Sequence, residues 1–229
     1  MQNYNKCNLF SAFTLAEVLI TLGIIGIVAA MTIPTLINNS QDAQFKSAWK
    51  KEYSVFSQAI QKMATDNGGS LSGIIDSWDR LYDKLTDGGY LKVAQKYKYS
   101  GDNGGWSNYD PKTGIVDATY IKALNRQDCW EWWWCTNNGG RAILQDGSFF
   151  WTLSTASTAG AQINIDVNGY KGPNMIGKDI FGVTVTIDGK VTPLGAGTSS
   201  SDTNYQYYGC DKTLSGTDGA WCSAYYLYN

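Results

Sequence analysis

From Val18 to Ile37 the chain carries no charged residue, and the apolar run is relieved only by Thr21, Thr32, Thr35, Pro34 and small residues. A helix that crosses a bilayer needs ~20 mostly apolar residues, so this stretch predicts a membrane-spanning segment. Past Pro34 the pattern turns amphipathic. Phe45, Trp49, Tyr53, Phe56, Ile60 and Met63 recur at intervals of three and four, which makes one apolar stripe on a helix. Gln44, Lys46, Lys50, Lys51, Glu52, Gln58 and Lys62 fall to the other faces, and the pattern stops at Asn67-Gly68-Gly69, a sound helix terminator. One helix is therefore predicted over residues 14–66. At ~1.5 Å per residue it approaches about 80 Å, too long for a compact head, so its first half is expected to stand out as a stalk.

Beyond the glycines the periodicity weakens. Ile74, Ile75, Trp78, Leu81, Tyr82 and Leu85 fit a short second helix, residues 100–112 read as an irregular loop, and residues 118–124 suggest one more helical turn. From Arg141 short alternating runs appear at 141–145, 148–153, 162–167, 181–187 and 190–193, with Asp146-Gly147 and Asp188-Gly189 as hairpin signals. The resulting fold class is α+β: a long N-terminal helix packed on a small antiparallel β-meander of about four strands. The head occupies residues 67–229.

With 229 residues, 43% of them hydrophobic and 17% charged, the chain can fill one sizeable core plus an appendage. The net charge of −2 and the scatter of Lys and Arg disfavour nucleic acid as the main partner. There is no histidine, which removes serine–histidine and cysteine–histidine couples and imidazole metal ligands. An enzyme would have to work with carboxylates, from among Asp146, Asp166 and Asp179, and no spacing singles out a pair. No catalytic residue is assigned. Of the five cysteines, Cys129, Cys135, Cys210 and Cys222 lie far beyond the apolar segment, and an even set suits disulfides in an oxidising compartment. Nearest-neighbour pairing gives Cys129–Cys135 and Cys210–Cys222, one of three possible pairings.

The apolar run begins directly after an acid. A carboxylate in the hydrocarbon region costs roughly 2.5–3.5 kcal/mol or more, so such groups usually have a partner and a job. A secretory signal places its small residues after the apolar region, whereas here Ser11-Ala12 come before it. The stretch Ala12, Phe13, Thr14, Leu15, Ala16 and Glu17, with Pro34 further along, resembles the prepilin N-terminus of type IV pilins and type II secretion pseudopilins. Two positions depart from the family's habit: Ala12 stands where Gly is usual, and Lys6 is the leader's only cation.

The resemblance implies a pilin-like fold and a leader of residues 1–12. Prepilin peptidase would cut between Ala12 and Phe13 and methylate the amino group of Phe13, and Cys7 would leave with the leader. Residues 13–66 would form the helix, its membrane segment near 18–37. The chain would start as a single-pass protein of the bacterial inner membrane. An assembly platform and its ATPase would draw it, with copies of itself and other pilins, into a periplasmic or extracellular helical filament.

Cutting at Phe13 would create a cationic amine four residues from Glu17, so that the acid of one subunit can pair with the amine of a neighbour and set axial register. Without that cut, Glu17 would belong to an ordinary signal anchor and lie at the headgroups. Gly23, Gly26, Ala29 and Ala30 make a small-residue patch of the kind that allows close helix approach.

Three constellations mark the head. Asp166 and Asn168 stand two apart before Gly169, with Asn174 and Asp179 downstream, an oxygen-rich run that suits calcium as well as Asx-stabilised turns. The calcium set is Asp166, Asn168 and Asp179; no other cofactor is expected. Cys129 to Cys135 hold four tryptophans in seven residues, fit for a disulfide-closed loop over the core or for an exposed contact surface. The tyrosine-rich end around Cys210 and Cys222 resembles, in position and spacing, the C-terminal disulfide loop of type IV pilins. A membrane-anchored adhesion or carbohydrate-binding module using the aromatic-rich head is the alternative reading.

Overall fold

The apolar run and the amphipathic stripe fold as a single helix, α1 (Leu15–Asp66), with Pro34 inside it. The computed structural model describes residues 14–97, 121–124, 140–154, 160–169, 171–211, 213–214 and 216–229. The chain divides into two units, one ending at Ala43 and one running from Gln44 to Asn229. In the first, every large apolar side chain from Leu15 to Ile37 is exposed, and the helix is long and apolar enough to cross a membrane or to serve as a signal sequence.

In the second unit α1 buries Trp49, Glu52, Phe56, Ala59, Ile60, Met63 and Ala64. The apolar members follow the predicted stripe. Glu52 does not: assigned by pattern to a solvent face, it is 2% exposed, because the 49, 52, 56 spacing carries it onto the stripe. The helix ends as its glycines require: the Asn67 side-chain amide donates to Met63 O, and Gly68 takes a φ of 75°.

The second helix, α2 (Trp78–Asp87), starts after Ile74 and Ile75, which sit buried in the preceding turn. Six strands follow in a purely antiparallel meander in chain order: β1 (Val93–Tyr97), β2 (Arg141–Leu144), β3 (Phe149–Ser154), β4 (Ala161–Asp166), β5 (Ile180–Val185) and β6 (Val191–Pro193). The fold is α+β, as expected, with more strands than expected. β1 falls where the sequence pattern predicts no strand, because Val93–Tyr97 gains its place by pairing with β2 rather than by its own weak alternation. Residues 121–124 are not helical; Lys122 bridges to Met175 in parallel. Two short helices close the described chain, α3 (Tyr205–Tyr208) and α4 (Cys222–Tyr228).

Alternation along β3 feeds two cores. Phe150 packs edge-on against Phe56 of α1, ring centroids 5.2 Å apart, while Phe149 and Trp151 point into a second cluster with Ile121, Ile176, Ile180 and Ala220. β4 is buried along its whole length, so whatever joins the end of β4 to the start of β5 begins and ends inside the head.

Candidate functional site

At the mouth of α1, Thr14 and Glu17 hold each other in a reciprocal cap. Glu17 N–H donates to Thr14 Oγ1 at 3.2 Å, and Thr14 N–H and Oγ1 each donate to Glu17 Oε2 at 2.8 Å. This is the capping box, a Thr followed three residues later by Glu. The T-x-x-E spacing that builds this cap is legible in the sequence itself. A Cβ added at Gly23 or Gly26 would meet nothing within 4 Å, so packing within the chain does not require these glycines. Ala12, Phe13, Cys129 and Cys135 lie outside the described residues, as does the tryptophan run between the last two.

The head's most polar buried place is the connection between β4 and β5. Asp166 and Asp179 are both fully buried. Asn168 N–H donates to Asp166 Oδ1 at 3.2 Å, which leaves Asp166 Oδ2 with no hydrogen-bond partner. Asp179 accepts from the backbone N–H groups of Asn174 at 2.8 Å and Met175 at 2.6 Å, and the Asn168 side-chain amide, which donates to Gly172 O at 3.2 Å, lies close by. The Asn168 and Asn174 side-chain oxygens are, like Asp166 Oδ2, buried without a partner.

Burial, and then the nearby charge of Asp179, push the Asp166 carboxyl well above the usual carboxylate range. Burial also raises Asp179, against the amide hydrogen bonds it accepts. Backbone geometry fixes the loop: Asn174 has a φ of 53°, and a Cβ at Gly169 would stand 2.3 Å from Gly147 O. The structure thus brings together Asp166, Asn168, Asn174 and Asp179, and leaves the Asn174 side-chain oxygen without a partner.

Among the described residues no group of three or more acidic, histidine or cysteine side chains is arranged to hold a metal ion. The set here is two carboxylates and two amides, oxygen ligands of a kind that hard cations take. Each unpaired buried polar atom costs on the order of 1–3 kcal/mol.

Cys210 and Cys222 are joined by a disulfide, Cα atoms 4.6 Å apart. Cys222 is fully buried and Cys210 half-buried.

A separate acid pair joins α1 to the β2–β3 turn. Lys51 bonds Asp146 and stands 3.3 Å from Glu52, while Glu52 Oε2 has no hydrogen-bond partner. Burial, reinforced by Asp146, pushes Glu52 up to about 7. Burial also works against ionised Asp146, but hydrogen bonds from Glu52, Lys51 and Ser148 outweigh it and hold Asp146 well below the usual range. With its value near 7, Glu52 carries a proton below neutral pH, beside ionised Asp146. Because its folded value lies above its unfolded value, the stability it contributes is full below about pH 4.5 and fades as pH rises through about 7.

Glu52→Gln supplies a permanent donor. Thermal unfolding at pH 8 should show this variant more stable than the parent by about 2 kcal/mol, with no difference at pH 5; a variant less stable at both pH values would contradict the shared proton.

No protein-family model, curated protein or solved structure matches this chain.

Proposed function

We propose that the chain is a structural subunit of a bacterial type IV pilus or type II secretion-like pseudopilus, held in the inner membrane until prepilin peptidase releases it for assembly. The observation that carries this reading is the Thr14–Glu17 cap at the mouth of a helix whose large apolar side chains are all exposed from Leu15 to Ile37. Such a surface needs lipid or other helices to cover it, and a carboxylate at its edge needs a counter-charge. The amine of Phe13 on a neighbouring subunit would supply one, and the glycines at 23 and 26 leave room for close approach.

The pilin-like head would pack on the second half of α1. Its partners would be copies of itself, other pilins, the assembly platform and its ATPase. The experiment is mass spectrometry of the N-terminus from membranes of cells that carry the assembly machinery. A chain beginning at N-methylated Phe13 is expected, and one that still begins at Met1 would overturn the reading.

In the same subunit we assign the cluster of buried oxygens to calcium. Asp166, Asn168 and Asn174 would donate their unpartnered oxygens, with Asp179 holding the loop and adding charge. Calcium would supply the positive charge that lets two buried carboxylates ionise side by side. Its oxygen ligands, numbering six to eight in flexible geometry, suit this mixture better than the strict octahedron of magnesium.

A further inference from the structure

The loop that carries the buried oxygens leans directly on the disulfide. Asp179 gathers the N–H groups of Asn174 and Met175, and Met175 O in turn accepts from Lys178, Asp179 and Ile180. This tight turn presents Gly177 to the C-terminal segment. A Cβ there would stand 2.6 Å from Gly219 O and 2.9 Å from Cys222 Sγ, and Gly177 has a φ of 76°. The contact is so close that only glycine fits. Residues 121–124 clamp the same place from the side: Lys122 N–H donates to Asn174 O, Ile176 N–H to Lys122 O and Leu124 N–H to Asp218 O. One residue past the cysteine, Ser223 O accepts from Trp49 of α1 and Ser223 Oγ accepts from Gly182 of β5.

Resting on the calcium reading above, we infer that cation binding at Asp166, Asn168, Asn174 and Asp179 guards the Cys210–Cys222 disulfide against reduction, and with it the docking of the C-terminal segment on α1. A dithiol's thiolate attacks the half-buried Cys210 Sγ, the S–S bond breaks, and Cys222 leaves as a thiolate that takes up a proton. The dithiol's second thiolate then attacks its own sulfur in the mixed disulfide, closing a cyclic disulfide and freeing Cys210 as a thiol.

A thiolate at fully buried Cys222, against Gly177, is strongly disfavoured. Reduction therefore waits on an opening in which the 174–180 turn moves off Cys222. The same opening separates Asp179 from the amides it holds and scatters the oxygens. A cation that binds only the closed form suppresses that opening by the factor 1 + [Ca²⁺]/Kd.

The test uses the full chain in detergent micelles, stripped with EGTA and titrated with CaCl₂. Calorimetry gives the Kd, expected on the order of 10⁻⁴ M, near the range of extracellular calcium modules. Reduction by dithiothreitol is followed by alkylation and mass spectrometry of Cys210 and Cys222. At free calcium about nine times Kd the reduction rate should fall about tenfold. In Asp166→Asn, and in Asn174→Gly, which keeps the positive φ while removing the side-chain oxygen, calcium should change the rate less than twofold. The glycine variant carries the test if the other does not fold. No calcium binding to the parent chain overturns the calcium reading itself. Binding with an unchanged reduction rate leaves that reading standing and overturns the guarding role, and so does calcium protection that survives both substitutions.

Discussion

Replacing Glu17 by alanine is expected to abolish incorporation into filaments while the amount of protein in the membrane stays near the parent level. On the proposed function the side chain has two duties, and they separate by chemistry. As the third residue of α1 it accepts from Thr14 N–H and Oγ1, a cap worth ~0.5–2 kcal/mol. That loss frays one turn of a helix whose length and apolar surface still hold it in a bilayer. The second duty belongs to the assembled state. An ionised acid beside hydrocarbon is costly without a partner, and an amine of the next subunit at the same depth answers it only when the two helices are in register. Breaking such a pair by removing one partner leaves the other charge unmatched, at about 3–5 kcal/mol, and the loss repeats at every subunit of a filament.

Glu17→Gln distinguishes the duties, because glutamine serves the capping box as well as glutamate does but cannot pair with a cation. Both variants should be missing from the sheared filament fraction on immunoblots and present in membranes, whereas Thr14→Ala, which damages the cap alone, should still assemble. Parent-level Glu17→Ala in sheared filaments would sink the register argument.

How much of this was legible in the sequence depended on how far each residue's role is set by its neighbours in the chain. The helix was readable because Trp49, Phe56, Ile60 and Met63 repeat at its own period, and the hairpins at Asp146-Gly147 and Asp188-Gly189 because a tight turn leaves few residues to choose from. β1 was not, since Val93–Tyr97 is ordered by β2, whose sequence lies far downstream. Glu52 escaped for the opposite reason. Its spacing from Trp49 put it on the buried stripe, but a carboxylate reads as solvent-facing until Asp146, brought in by the β2–β3 turn, supplies a proton-sharing partner.

The oxygen cluster falls between these cases. Asp166 and Asn168 announce themselves by a spacing of two before a glycine, and Asn174 and Asp179 stand out as further oxygens downstream, but only the fold shows the Asn174 backbone N–H spent on Asp179 and its side-chain oxygen left without a partner.

Trp49→Ala should cost the head about 5 kcal/mol, the largest stability loss expected of any single truncation on α1. Trp49 is fully buried, stacks on Phe181 of β5 with ring centroids 4.9 Å apart, and meets the edge of Tyr53 at 5.8 Å. Truncating a buried tryptophan to alanine costs ~3–5 kcal/mol in lost transfer and cavity formation. Here the indole also donates to Ser223 O at 2.8 Å, so its removal strands a buried carbonyl, a further cost of about 1–3 kcal/mol if no water reaches it. The two terms overlap as the site relaxes.

For a domain of this size each kcal/mol moves the thermal midpoint by about 2–4 °C, so the near-UV circular dichroism of the full chain in micelles should lose its transition about 10–20 °C lower. Trp49→Phe keeps the stack and removes the donor, and should cost about 1–2 kcal/mol. If alanine and phenylalanine prove equally mild, Trp49 is not the tie between α1, β5 and α4. If alanine is severe and phenylalanine mild, stacking against Phe181 carries most of the attachment and the bond to Ser223 mainly fixes where the C-terminal segment sits.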